Sequence, residues 1–215
     1  MANALPADTS RESEPIRLFK SDFLEFFTHI SPVTIVVVWV PVIAYLLIVA
    51  VQSAARPPFP AYIPVGVVLG LLLWSVAEYL LHRFLFHYHP RTPAGEKIFF
   101  LFHGIHHAQP QDKTRLVMPI PVSIPLAVLF YGLYALVFGV VLGAGQWVNP
   151  TMAGFLIGYL FYDLTHYATH HWPMRSRFAK YLKRHHMIHH YKNPEIRFGV
   201  SSPIWDFVFG TMGKN

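Results

Sequence analysis

Two uninterrupted apolar runs, residues 33–51 and 61–81, dominate the first third of the chain, each about the 20 residues needed to cross a bilayer as a helix. The segment "QSAARPPFP" between them is a tight, proline-rich turn, so the pair predicts a helical hairpin. A second pair follows. Residues 122–142 make a full span, and the run from Thr151 stays apolar for about three turns before becoming "FYDLTHYATHH", with "GAGQWVNP" as the connection. The expected fold is all-α: an integral membrane protein of four transmembrane helices, both tails on one side, with the polar remainder forming a helical cap. Ahead of the first span, "IRLFKSDFLEFFTHI" places Ile16, Phe19, Phe23, Phe26, Phe27 and Ile30 at helical spacing, with Lys20, Asp22 and Glu25 elsewhere, as an interfacial amphipathic helix would. Residues 1–15 read as a loose polar tail without the pattern of a secretory signal. Residues 1–32 are thus expected to be tail and interfacial helix, and residues 33–215 one membrane domain.

Composition agrees: 53% of the residues are hydrophobic and 13% charged, more apolar than one soluble core requires. The formal charge of +6 does not point to nucleic acid, because the basic residues flank apolar spans, which suits anionic lipid headgroups. Of the 17 Lys and Arg, only Arg56 lies in a hairpin loop, while three precede the first span, five lie in residues 82–118 and eight follow residue 170. By the positive-inside rule the tails and the central segment face the cytoplasm. The absence of cysteine excludes disulfides, thiolate metal sites and iron–sulfur clusters, so any metal must sit on nitrogen or oxygen.

Histidine then changes the picture. The chain holds 14, and ten of them form four groups: "HRFLFH" (His82, His87), "HGIHH" (His103, His106, His107), "HYATH" (His166, His170) and "HMIHH" (His186, His189, His190). All four groups emerge on the cytoplasmic side of a topology drawn from hydropathy and Lys/Arg positions alone. His166 and His170 are i, i+4 on one helix face. His82 and His87 are i, i+5, about 140° apart on an ideal helix, so one ion takes both only if the span bends or ends between them. The H-x-I-H-H pattern occurs twice, which suggests two metals, and ten ligands suit two five- or six-coordinate ions with an open, catalytic position. Imidazole binds Zn, Fe, Cu and Ni alike, so ligand type does not name the metal. An all-nitrogen shell leaves the ions more positive than a carboxylate-rich one. Glu78, one turn before His82, and Asp163 with Tyr162, just before His166, are candidates to orient ligand rings from behind. His29, His89 and His171 read as headgroup-facing or core residues, and His185 as lying outside the ligand shell, since Phe102 holds its place in "FHGIHH".

"EYLLHRFLFH", "FLFHGIHH", "RLVMPIPVS", "GYLFYDLTHYATHH", "LKRHHMIHH" and "FGVSSPIWDFVFGT" together resemble the fatty acid hydroxylase superfamily of membrane di-metal oxygenases, most closely the fatty acid 2-hydroxylases of sphingolipid acyl chains. The resemblance runs from about Ala77 to the C-terminus. It implies a cytosolic dimetal site that uses O2 and two electrons to insert a hydroxyl beside the acyl carbonyl, with the same ten histidines as ligands. It implies two iron ions, with zinc a redox-inert stand-in in purified protein. Relatives of this type often carry a cytochrome b5 domain, and residues 1–30 are too few to hold one. An external donor of the cytochrome b5 or ferredoxin type is therefore expected, with Arg175, Arg177, Lys180, Lys183 and Arg184 either docking it or lying on headgroups. The short chain points to a bacterial cytoplasmic membrane rather than the endoplasmic reticulum. Trp74, Phe84, Tyr159 and Phe161 are candidates to line the passage of a membrane lipid substrate. The competing readings are a sterol desaturase, sterol methyl oxidase or carotenoid hydroxylase of the same superfamily and, from another class, a metal transport or storage protein. Transport needs polar groups at the bilayer midplane, and the first three spans have almost none.

Overall fold

The computed structural model describes residues 15–54 and 60–213, which leaves the polar tail up to residue 14 and most of the Pro-rich turn outside the described residues. The amphipathic helix expected over residues 16–30 is mostly not a helix: residues 15–19 are irregular and only α1, Asp22–Phe26, is helical. The reason lies in Glu25, whose carboxylate reaches back to accept the N–H groups of Leu18 (3.0 Å) and Phe19 (2.7 Å) and so folds the segment over itself.

Ser31 opens the first long helix. Its hydroxyl accepts the Thr34 N–H at 3.2 Å, and Pro32 occupies the first position, where a missing N–H costs nothing. This helix, α2, spans Pro32–Gln52. α3 covers Tyr62–Leu80 and runs on as a wider π-helical turn over Leu81–Phe86. After the short α4 (Pro93–Phe99), a second π turn (Phe100–Gly104) and α5 (Ile105–Ala108), the chain re-enters the apolar layer as α6 (Ile120–Tyr134), itself continued by a π segment to Val141. A 3-10 turn, Gly145–Trp147, leads into α7, Val148–His171. α8 (Arg177–Tyr191), capped by Ser176, and α9 (Ile204–Val208) complete an architecture without strands among the described residues.

Among the described residues, three helices are long and apolar enough to cross a membrane: Pro32–Gln52, Tyr62–Phe86 and Ile120–Val141. The expected fourth, α7, has 24 residues but is largely buried within the bundle rather than lipid-facing, packed against α2, α3 and α6. A helix enclosed by its neighbours need not be apolar all round, so its second half can carry Asp163, His166 and His170. α3 and α7 approach to backbone contact. A Cβ on Gly70 would lie 2.0 Å from the Thr151 carbonyl oxygen, and one on Gly154 would lie 2.0 Å from that of Val67. Both glycines belong to small-xxx-small pairs, Gly66/Gly70 and Gly154/Gly158, the spacing that lets helices close up in lipid. Trp74 wedges beside this seam, edge-on to Phe155 and Tyr159 at centroid distances of 5.0 and 5.4 Å.

Candidate metal centre

The π turn at the end of α3 answers the angular problem of His82 and His87. Its backbone bonds run i to i+5, the His87 N–H reaching the His82 carbonyl at 3.1 Å, so the two side chains fall on one side with ring centroids 5.0 Å apart. The segment through α5 brings in His103, His106 and His107, α7 contributes His166 and His170 one turn apart, and α8 contributes His186, His189 and His190. All ten rings meet, and they sort into two groups of five: His82, His87, His103, His107 and His189; and His106, His166, His170, His186 and His190. In each group the five ligand atoms lie within 4.8 Å of one another and the group could hold a metal ion. Neither H-x-I-H-H motif serves a single group, since each divides its histidines between both.

The donor set fits metal ions. In the second group the Nε2 atoms form a chain of contacts, His166 to His106 at 2.9 Å, His106 to His190 at 2.9 Å, His190 to His186 at 3.0 Å and His186 to His170 at 2.9 Å. In the first, His103 Nε2 lies 3.1 Å from that of His82 and 3.0 Å from that of His107. A ring nitrogen is either donor or acceptor, so such a run cannot be satisfied by hydrogen bonds alone. Two nitrogens each ~2.0–2.1 Å from one ion and at right angles to it stand about 3 Å apart, which is the spacing found. Burial, together with repulsion from neighbouring rings, holds His103, His106 and His186 well below the usual imidazole range and His107 at about 3, while burial holds His189 at about 4. At neutral pH these rings are uncharged, the form that binds metal.

The groups behind the rings differ from expectation. Glu78 does not orient His82. Its carboxylate accepts the N–H groups of Val200 (2.8 Å) and Ser201 (2.7 Å) and the Ser201 hydroxyl, pinning the C-terminal segment to α3. Asp163 accepts the Met118 N–H at 3.1 Å instead of a ring N–H, while Tyr162 stacks its ring on His166 at a centroid distance of 5.8 Å. Backbone carbonyls take the orienting part: His82 Nδ1 donates to Phe198 and His189 Nδ1 to Ile196, the latter at 2.8 Å. A residue without an assigned sequence role, Asp206, is fully buried and accepts from His185 Nε2 at 2.9 Å. An acid set in the apolar "PIWDFVF" is the signal that marks it. Outside the groups, His29 bonds Thr114 at 2.6 Å and His89 lies 3.5 Å from Glu195.

Both groups open on one cavity of about 340 Å³, with His103 of the first and His106 and His166 of the second in its wall. The rest of the lining is mostly apolar, from Phe86, Phe102, Ile105, Val117, Met118 and Val122, and from Leu18, Phe19, Leu24 and Phe27 of the N-terminal segment. Buried Arg115 straps that segment down through Glu25 and the Ile16 carbonyl, aided by the Ile16 N–H on Gln109 (3.0 Å) and the Ile30 N–H on Thr114 (2.7 Å). The expected passage residues lie elsewhere: Trp74 and Tyr159 are core packing, and Phe84 and Phe161 face outward, more than half exposed. Trp74 and Tyr159 follow span packing, whereas the cavity wall is assembled from the N-terminal segment, residues 115–119 and several separate helical segments, which no single periodic pattern unites.

Fold and site together define an integral membrane, all-helical protein whose paired five-histidine groups sit beside an apolar chamber. The chain belongs to the fatty acid hydroxylase family, whose model matches residues 67–211. It is 37% identical over 196 residues to the dihydroceramide fatty acyl 2-hydroxylase FAH2 of Arabidopsis thaliana, covering 91% of this chain and 79% of that one. Over 219 residues it is 34% identical to the fatty acid 2-hydroxylase of Mus musculus, covering 93% of this chain and 57% of that protein. Among solved structures it is similar to full-length Scs7p, in which only the hydroxylase domain is visible, with 37% identity and a TM-score of 0.77 across 88% of this chain and 69% of that one. These plant, mammalian and fungal relatives lend no support to the expected bacterial source.

Proposed function

We propose that this protein is a membrane-bound di-iron monooxygenase that hydroxylates a lipid acyl chain, as a fatty acid or ceramide acyl group, at the carbon beside the carbonyl. The observation that carries this reading is the apolar cavity whose wall includes rings from both histidine groups, because it sets an acyl chain and the metal-binding face in one water-poor space. The relatives named for 2-hydroxylation of fatty acids and dihydroceramide acyl groups support the position and the substrate class.

Two iron ions held by His82, His87, His103, His107 and His189 and by His106, His166, His170, His186 and His190 would supply the oxidising power: one O2, two electrons and two protons convert C–H to C–OH and release one water. The remaining tasks belong to the chain. Phe19, Phe27, Phe86 and Val117 hold the acyl chain and keep water away, and the neutral imidazoles offer lone pairs without carrying protons into the oxidation. The electrons come from a donor of the cytochrome b5 or ferredoxin type, and Arg175, Arg177, Lys180, Lys183 and Arg184 either lie on lipid headgroups or dock that donor. Residues 33–215 form the catalytic membrane domain, α7 is the fourth crossing, and the site faces the cytoplasm, in keeping with the Lys/Arg distribution.

The test is direct. Iron-loaded protein given a reduced donor, O2 and membrane lipids is expected to yield acyl chains heavier by one oxygen at the 2-position, identified by fragmentation mass spectrometry. A hydroxylated sterol or carotenoid, or an introduced double bond, would refute the proposed substrate or outcome, and no oxygen insertion with any lipid would refute the enzyme.

A further inference from the structure

The two histidine groups use the same ring but are supported differently. In the first, His82 and His189 turn their Nδ1–H onto the carbonyls of Phe198 and Ile196. These carbonyls flank Arg197, whose φ of 61° makes it the one positive-φ residue other than glycine among the described residues. The turn has a purpose: the two rings are 4.7 Å apart, nearer than the ~6.6 Å between alternate carbonyls of an extended chain, so the backbone must contract to serve both.

Asp206 holds that turn. Its buried carboxylate accepts the N–H groups of Phe198 and Gly199, each at 2.8 Å, the Thr211 hydroxyl at 2.7 Å and the His185 ring at 2.9 Å, while the Arg197 N–H bonds the Thr211 carbonyl at 2.8 Å. In the second group no such frame exists. The Nδ1 atoms of His106, His166, His170, His186 and His190 are all buried without a hydrogen-bond partner among the described residues. A ring that gives Nδ1–H to a carbonyl is fixed with its Nε2 lone pair inward and is the better base, whereas one that binds metal with an orphaned Nδ1–H bears a desolvation cost.

From this asymmetry we infer that Asp206 is a positioning residue acting through the Ile196–Phe198 turn, and that it makes the first group the tighter of two unequal metal positions and the second the more readily exchanged. The inference rests on the reading of the ten histidines as ligands.

The experiment is a titration of chelator-stripped protein with Co2+, followed by visible absorption and by metal content per chain. Wild type is expected to show two binding events at least about tenfold apart in affinity. His87→Ala should remove the tight event and His170→Ala the weak one. Asp206→Asn should weaken the tight event about tenfold or more and leave the weak one in place, whereas a merely structural role would weaken both. Thr211→Val, which removes one bond to the same carboxylate, should shift the tight event in the same direction by less, and it carries the test if Asp206→Asn does not fold. Two equal events, or loss of the tight event in His170→Ala, would overturn the inference while leaving two metals in the protein. Failure to bind Co2+ at all would overturn the ligand reading, and the inference with it.

Discussion

His103 and His106 stand three residues apart, yet each serves a different group, and both look into the same cavity. Replacing either with alanine should therefore cost one ion and not two: His103→Ala and His106→Ala are each expected to retain about half the wild-type metal by elemental analysis, while 2-hydroxylated product falls to background. Spacing alone drew attention to the ten rings, because four histidine groups, two at i, i+3 and i+4, one at i, i+4 and one at i, i+5, have little other reason to exist. It said nothing about which ring joins which group, since that partition is set by helices that meet only in three dimensions. The acid inside "PIWDFVF" stands out in the sequence, but what Asp206 holds was illegible for a related reason. Its partners are backbone N–H groups presented by the Arg197 turn, and a left-handed arginine leaves no mark in composition or periodicity.

At the scale of elements, the α3–α7 seam is the tightest constraint in the fold. Gly70→Ala and Gly154→Ala each place a methyl against a backbone carbonyl, which no rotamer change relieves, so each should destabilise the protein by about 3 kcal/mol and lower the thermal midpoint in detergent. The N-terminal segment supplies a second test. Burial opposes ionisation of Glu25, but the Phe19 N–H and Arg115 outweigh it and hold the carboxyl below its ordinary value of 4.5. Stability from this contact is thus present above about pH 4.5 and lost as pH falls through the lower folded value. The thermal midpoint of wild type should exceed that of Glu25→Gln at pH 7, and the gap should close as the pH drops below 4.5. Hydropathy made α2, α3 and α6 plain from sequence and understated α7, whose surroundings are protein. Helical spacing misled over residues 16–30, because Glu25 bonds back to Leu18 and Phe19, which a continuous helix would hold about 10 Å away along its axis.

For the whole molecule, the lack of cysteine makes sidedness measurable with little interference. Single cysteines replacing Lys113 and Lys192, both exposed, should react with an impermeant thiol reagent from one side of sealed vesicles, and one replacing exposed Gln146 from the other. Labelling of all three from the same side would remove the four-crossing topology. The class of protein was readable from apolar runs and histidine boxes, whereas the chamber was not, since its wall joins Phe19 to Phe86 and Val117, residues far apart in the chain. That long-range closure sets an order of events during synthesis. Each nest of five nitrogens takes its last member from α8, His189 for one and His190 for the other, so neither nest is complete in a nascent chain until α8 has left the ribosome. A half-made hydroxylase has no means of turning oxygen on the membrane that receives it.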